Sequence, residues 1–132
     1  MRRIIYTSQR NPDFSALSIA EMAQKAQLKN AGIGIHGLMF YANNQFLQVL
    51  EGMDGPINKL ISDIAKDDRH FNIRTVYEEE ISKLKFTKWN MAFCDHTTLA
   101  YFAGVDEFNP IKMTLAEIDI LFDNYIRFQS TK

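Results

Sequence analysis

Hydrophobic residues concentrate in five short segments of the chain, along which successive side chains of a strand would point to opposite faces of a sheet. These segments predict strands over residues 2–7, 35–41, 45–51, 72–81 and 87–93. Between them, two segments show the spacings of three and four that are typical of amphipathic helices. One is predicted over residues 17–29 and the other begins at Pro56. The order strand, helix, strand, strand, helix, strand, strand predicts an α+β sandwich with both helices on one face of the sheet.

Turn-forming residues separate these elements. Asn43 and Asn44 join the second and third strands into a hairpin, because asparagine tolerates positive φ. The first helix has two candidate N-caps, Ser15 and Ser18, and ends at a pair of glycines. We expect residues 67–70 to close the second helix.

The tail after the fifth strand has its own pattern. Thr114 and Glu117 have the spacing of a capping box, which predicts a final helix. That helix has a broad apolar band, formed by Leu115, Ile118, Leu121, Phe122, Tyr125 and Phe128. Such a band must be buried, either on the open face of the sheet or against another chain. We expect the intramolecular arrangement, with residues 1–95 as the main domain and 96–132 as a helical cap within one compact unit.

Composition narrows the class of protein. The 132 residues suit one domain, and a net charge of −1 without a basic cluster argues against nucleic-acid binding. No run of about 18 apolar residues predicts a membrane span, and the N-terminus lacks a signal-peptide pattern. The single Cys94 fits a reducing compartment, so we expect a cytoplasmic protein. The three histidines lack metal-ligand spacing, so no metal site is expected.

One polar side chain interrupts an apolar face. In the third strand Gln48 points the same way as Phe46 and Leu50. A buried amide without a partner costs on the order of 2–7 kcal/mol. Gln48 therefore needs a hydrogen-bonding partner.

Several motifs together resemble the BLUF family, the flavin-binding blue-light sensors. They lie in order over residues 3–93, and the tail after Phe93 is outside the resemblance. The most specific is the third-strand block, Phe46-Leu47-Gln48-Val49-Leu50-Glu51-Gly52. The others are Ile5-Tyr6-Thr7-Ser8, Asn30, Gly34-Ile35-His36-Gly37-Leu38-Met39-Phe40-Tyr41, Ile64-Ala65-Lys66-Asp67-Asp68-Arg69-His70 and Trp89-Asn90-Met91-Ala92-Phe93.

The resemblance implies a ferredoxin-like βαββαββ fold that holds a flavin ring between its two helices. It implies FAD as the cofactor, with FMN or riboflavin as alternatives. In the family, the residues that match Tyr6 and Gln48 hydrogen-bond each other and the flavin. The residue that matches Asn30 contacts the polar edge of the flavin.

Further positions acquire roles from the same resemblance. Those that match Trp89 and Met91 lie near the glutamine and respond to its state. In the family, the residues that match Asp67, Arg69 and His70 lie at the end of the second helix, near the ribityl side of the ligand.

The resemblance also implies a photoreceptor and not an enzyme. Light excites the flavin, Tyr6 supplies an electron and a proton moves, and Gln48 is left rearranged with a new hydrogen bond to the flavin. The signal then passes through the fifth strand to the tail, and on to an unidentified protein partner or a homo-oligomer. Whether Gln48 rotates or becomes a tautomer stays open.

Three positions depart from the family pattern. Ala26 often carries a hydroxyl in the family, His36 is often threonine, and Asp63 lies where some members carry an arginine. The negative charge of Asp63 does not favour the binding of a phosphate nearby. These three differences therefore affect the expected contacts to the tail of the ligand more than the photochemistry.

Simpler explanations exist for each residue taken singly. Gln48 suits a satisfied core amide, Asn30 a helix C-cap, and Trp89 and Met91 core positions. Two other functions are also open on the same fold. One is an acylphosphatase-like enzyme, although the loop after the first strand has no glycine and Pro12 removes a donor. The other is a flavin-dependent redox enzyme, which no nicotinamide fingerprint supports.

Overall fold

A five-stranded sheet organises the chain. The computed structural model describes residues 1–86, 89–93 and 95–130. The strands are β1 (Arg2–Arg10), β2 (His36–Ala42), β3 (Gln45–Gly52), β4 (His70–Glu80) and β5 (Trp89–Phe93). The helices are α1 (Ala16–Gly32), α2 (Asp54–Ala65), α3 (His96–Ala103) and α4 (Leu115–Ser130).

The strands lie in the order β4-β1-β3-β2-β5. Neighbouring strands are antiparallel except for β5, which runs parallel to β2. The predicted α+β, ferredoxin-like fold with a C-terminal helical region is confirmed. The register sets Tyr6 opposite Gln48 and Gln48 opposite Met39, on three adjacent strands.

Each face of the sheet carries its own hydrophobic cluster. On one face, Ile4, Tyr6 and Leu50 pack with Ile19 of α1 and Ile57 of α2. This places α1 and α2 together, as the sequence predicts. The sheet's other face packs against α3 and α4, in a cluster that includes Phe40, Leu47, Val49, Leu99, Ile118, Leu121 and Phe122.

The final helix is therefore covered within the chain. Phe122 is 1% exposed and stacks on Phe40 of β2, with ring centroids 5.9 Å apart. Tyr125 meets Phe40 edge-on at 4.9 Å. The face of the sheet that is turned away from α1 and α2 is also apolar. The apolar band of α4 covers this face and completes the second hydrophobic layer.

Three helix boundaries differ from the prediction. The N-cap of α1 is Ser15, whose side chain accepts from the backbone N–H of Ser18, so the alternative N-cap at Ser18 is wrong. Helix α2 begins at Asp54, two residues before Pro56, which still lies in the first turn, where a missing N–H costs little. Residues 67–70 lie beyond the end of α2, and His70 already belongs to β4.

Helix α3 was not predicted as a separate element. Both of its ends are nevertheless capped by residues adjacent in the sequence. At the N-terminus Asp95 Oδ1 accepts from the Thr98 N–H at 2.8 Å, and at the C-terminus Gly104 ends the helix at φ 73°. The capping box of α4 is confirmed, since Thr114 and Glu117 bond reciprocally at 2.8 and 3.1 Å.

Asp119 on α4 is a partly buried carboxyl whose environment disfavours its charge. Burial raises its pKa above the usual value, and repulsion by Asp123 and Glu79 adds to this, while Lys85 and Arg3 oppose it. An acid with a raised folded-state pKa costs stability at neutral pH, and the cost vanishes below the unfolded pKa of about 3.9.

We therefore expect Asp119→Asn to raise the free energy of unfolding at neutral pH by about a few tenths of a kcal/mol, since the group is mostly screened by solvent. Urea unfolding at pH 7 and about pH 4 measures this, and the gain should shrink at the lower pH. Asp106→Asn, at an exposed loop position, is the matched control. An equal gain at both pH values would contradict this explanation.

Within the described residues, no helix is long and apolar enough to cross a membrane. The same part of the chain holds no group of three or more His, Cys, Asp or Glu side chains arranged to bind a metal.

Candidate functional site

A cleft of about 200 Å³ lies between α1 and α2, above the centre of the sheet. Most of its surface is apolar. The sheet contributes Met39 and Phe46, α1 contributes Met22 and Ala26, and α2 contributes Leu60 and Ile64. Polar residues reach the same space from several elements: Tyr6, Ser8, Lys25, Lys29, Asn30, Gln48, Asp63, Asp67, Arg69 and His70.

The hydrogen-bonding partner of Gln48 is Tyr6. The Gln48 side chain is 5% exposed, and Tyr6 directly opposite on β1 is 3% exposed. The Tyr6 hydroxyl donates a hydrogen bond to Gln48 Oε1. The Tyr–Gln pair that the resemblance implies is thus present, at the edge of the cleft.

The Tyr6 phenol is neutral in this setting. Burial raises its pKa well above the ordinary value, and the negative charge of Asp67 raises it further. A neutral phenol can donate a hydrogen bond as well as accept one, whereas a phenolate only accepts. Tyr6 therefore acts as the donor of the pair.

Asn30 sits where α1 ends and is 1% exposed. Its backbone carbonyl accepts the N–H groups of Ile33 and Ile35 at 3.2 and 3.0 Å. Its side-chain Oδ1 is buried on the cleft and has no hydrogen-bond partner among the residues that the structure describes. The backbone thus does the work of a helix C-cap, and the amide remains available to a ligand.

The loop after α2 is held by an ion pair. Arg69 Nε donates to Asp67 Oδ1 at 2.9 Å, and its Nη2 donates to Oδ2 at 2.7 Å. These hydrogen bonds lower the pKa of Asp67 despite its partial burial. Arg69 therefore reaches the cleft with its charge already paired.

His70 is fixed at both ring nitrogens. Nε2 lies 2.9 Å from the carbonyl oxygen of Ile64, and Nδ1 lies 2.9 Å from Ser8 Oγ. Because a carbonyl only accepts, Nε2 carries a proton, and in the neutral ring Nδ1 accepts from Ser8. His70 thus ties the end of α2 to β1.

A second ion pair crosses the cleft between its two helices. Lys29 Nζ of α1 lies 3.2 Å from Asp63 Oδ2 of α2, with both side chains about half exposed. Asp63, which departs from the family pattern, is therefore neutralised from the opposite wall. Lys25, one turn earlier, has no ion-pair partner among the described residues and leaves the cleft with one unpaired cation.

Sequence reasoning missed several lining residues, including Ser8, Met22, Lys25, Lys29 and Met39. Lys25 and Lys29 share a face of α1 at a spacing of four, as do Met22 and Ala26. That spacing was visible in the sequence, but nothing local says which face of α1 meets α2.

The side chains of Trp89 and Met91 lie outside the described residues, as does Cys94. The backbone of β5 is described, and its register pairs Met91 with Met39 of β2. Met39 in turn is opposite Gln48. The backbone therefore sets Met91 and Gln48 on one line across the sheet.

The loop after β1 does not suit an acylphosphatase. Its N–H groups are already used: Asn11 N–H donates to the Arg69 carbonyl, Asp13 N–H to Asn11 Oδ1, and Phe14 N–H to the Asn11 carbonyl. A phosphate-cradling loop needs such groups free and convergent.

The cleft's chemistry fits a flavin. Its apolar walls can cover a planar ring, while the Asn30 amide and the Tyr6–Gln48 pair supply polar groups within the same cleft. An apolar cleft with a few convergent polar groups defines a ligand-binding domain. Residues 1–92 match the model of the BLUF family, described as sensors of blue-light using FAD, and the chain belongs to that family.

Solved structures and curated relatives agree with this assignment. The structure of BlsA in its photo-activated state is 29% identical with a TM-score of 0.80, covering 92% of this chain and 91% of that one. BlrP1 of Klebsiella pneumoniae, solved with FMN and cyclic diGMP, is 30% identical with a TM-score of 0.65, over 76% of this chain and 26% of that one.

The photoactivated adenylate cyclase subunit beta of Euglena longa is 32% identical over 97 residues, which are 69% of this chain. The match spans only 11% of that relative's length. BLUF domains bind flavin, either FAD or FMN, and sense blue light. Residues 1–92 are thus a blue-light sensor domain, as the resemblance implies.

Proposed function

We propose that the cleft binds the flavin ring beside Tyr6, Gln48 and Asn30, and that these residues convert absorbed light into a changed hydrogen-bond pattern. When bound, the flavin supplies the absorption of blue light and accepts an electron. The observation that carries this proposal is the buried Tyr6–Gln48 hydrogen bond in the same cleft as Asn30 Oδ1, which has no partner within the described part of the chain.

The Tyr6–Gln48 pair suits a two-state switch. Gln48 accepts through Oε1, so its amide nitrogen is oriented away from the Tyr6 hydroxyl. Turning the amide over, or moving a proton on it, exchanges donor and acceptor without changing the shape of the side chain. Because the pair is buried, water cannot compensate a lost bond, and each state keeps its own pattern.

We assign the ligand's tail to the group after α2. Asp67 and Arg69 hold each other, His70 bonds to Ser8 of β1, and all three residues line the cleft. Lys25 lies on the opposite wall without an ion-pair partner among the described residues, and its charge suits the phosphate of a flavin nucleotide.

We further propose that the signal leaves through β5 and the C-terminal helices, with Trp89 and Met91 as the first responders. Residues 1–95 would form the sensor domain and residues 96–132 its output segment. The receiver is a protein partner or a second copy of the chain, and direct nucleic-acid binding is not expected at a net charge of −1.

An absorption spectrum tests the core of this proposal. The purified protein is expected to be yellow, and blue light should shift its flavin band reversibly to the red without bleaching. A colourless protein that takes up no added FAD or FMN, or a flavin that only bleaches, would refute it.

Asn30 provides a direct test of the binding site. Asn30→Ala keeps the backbone bonds to Ile33 and Ile35 but removes the amide that faces the cleft. We expect roughly tenfold weaker flavin binding, since one hydrogen bond is worth about 0.5–1.5 kcal/mol. Titration of the apoprotein with FMN measures it. Asn58→Ala, on the exposed side of α2, is the control, and equal affinity in both variants would argue against this role.

A further inference from the structure

A buried carboxylate outside the cleft, that of Glu51, makes four polar contacts. Glu51 of β3 is 0% exposed. Its Oε2 accepts from Arg3 Nε at 2.7 Å and lies 2.6 Å from Arg3 Nη2. Its Oε1 accepts the backbone N–H groups of Lys85 and Phe86 at 2.8 and 2.9 Å. These bonds compensate for burying the charge, and they also hold Lys85 and Phe86 against the sheet.

The segment that Glu51 holds is the connection between β4 and β5. The carbonyl of Phe86 lies 3.0 Å from His36 Nδ1 of β2, which must donate because a carbonyl only accepts. Both backbone polar groups of Phe86 are therefore tied to the sheet, although residues 81–86 belong to no strand or helix.

The same segment contacts α4. The Phe86 ring meets Phe122 edge-on with centroids 5.9 Å apart. Lys85 Nζ lies 2.6 Å from Asp123 Oδ1. A continuous chain of contacts thus joins β3 to α4, and we call the group Arg3, Glu51, Lys85, Phe86 and Asp123 the Glu51 clamp.

The register relates this clamp to the light switch. Tyr6 and Gln48 are directly opposite on β1 and β3, and so are Arg3 and Glu51. The two pairs lie three positions apart on the same two strands, so they project from opposite faces of the sheet. A change in how β1 and β3 align at the first pair therefore alters the geometry of the second.

We propose that the Glu51 clamp transmits the state of the Tyr6–Gln48 pair through the sheet to helix α4. This rests on the proposed function and adds a second route to the other face of the sheet, beside the one through β5. Four short bonds to one carboxylate tolerate little displacement, so a small shift of β3 against β1 redistributes them and moves Lys85 and Phe86. Helix α4 follows, because Asp123 and Phe122 are attached to those residues.

Hydrogen exchange of the flavin-loaded protein in darkness and under blue light tests the route. In the wild type, amides of residues 115–130 should exchange at rates that differ between the two conditions. Glu51→Gln keeps an acceptor for the two N–H groups but loses the ionic bond to Arg3. We expect it to retain the red shift while the light-minus-dark difference in α4 falls at least twofold.

Asp123→Asn removes only the last contact, at a half-exposed side chain, and should reduce the same difference even if Glu51→Gln fails to fold. Glu78→Gln makes the same charge change on β4 outside the clamp and should behave as wild type. The clamp is refuted if both clamp variants keep the full difference, or if the wild type shows the red shift without any change in α4. A wild type that lacks the red shift overturns the proposed function itself, and the clamp with it.

Discussion

Replacing Tyr6 with phenylalanine is expected to leave the flavin bound and to abolish the light-induced red shift. The ring that packs in the cluster with Ile4 and Leu50 is preserved, so the wall of the cleft stays in place. The lost hydroxyl is the donor to Gln48 and the one group of this pair that can give up a proton together with an electron. Without this hydroxyl, we expect that the hydrogen bonds of Gln48 cannot rearrange in response to light.

Absorption spectra before and after blue light measure this effect, together with the flavin content of the purified variant. Tyr77→Phe is the matched control, because its hydroxyl lies on the exposed edge strand and bonds only weakly to Glu79, at 3.3 Å. A normal photocycle in Tyr6→Phe would exclude Tyr6 from the photochemistry. Loss of flavin from the variant would instead mean that the hydroxyl is needed for binding.

The Tyr6 variant also carries a cost in stability. It leaves Gln48 Oε1 buried without its donor, which costs about 1–3 kcal/mol. Denaturant unfolding should show this loss in the apoprotein, where no ligand compensates it. The two readouts separate the structural role of the hydroxyl from its role in the photochemistry.

Gly37→Ala is expected to have the largest effect on folding. Gly37 lies in β2 at φ +153°, and a Cβ there would be 2.0 Å from the backbone oxygen of Val49. Strand β2 has β3 on one side and β5 on the other, so it cannot move away without breaking a ladder. Strain of about 1–3 kcal/mol and overpacking of a similar size together cost about 2–6 kcal/mol.

A loss of that size is comparable to the whole stability of a small domain, so we expect Gly37→Ala to be insoluble or largely unfolded. Circular dichroism and denaturant unfolding check this. Gly55→Ala is the matched control: it lies in α2, and an added Cβ would meet no atom within 4 Å. That variant should gain up to about 1 kcal/mol from helix propensity. A Gly37→Ala protein as stable as wild type would contradict the strand register.

Local patterns along the chain were sufficient for most of the fold. Short segments rich in hydrophobic residues placed all five strands, and spacings of three and four placed α1, α2 and α4. These signals are local because each side chain's direction depends on its own backbone conformation. Boundaries failed where a competing local signal existed, as at Ser15 and Ser18, which both have capping chemistry.

The sequence by itself determined that Gln48 faces an apolar side of β3 and that α4 carries a band that must be buried. Only the tertiary structure decided which groups meet them, because each partner is far away in the chain: Tyr6 is 42 residues from Gln48. The pairing of Arg3 with Glu51 and the crossing of Lys29 to Asp63 were hidden for the same reason. Periodicity indicates which face of an element a residue occupies, but strand register and helix packing determine its neighbours. In this protein those neighbours include the Tyr6–Gln48 pair of the proposed switch.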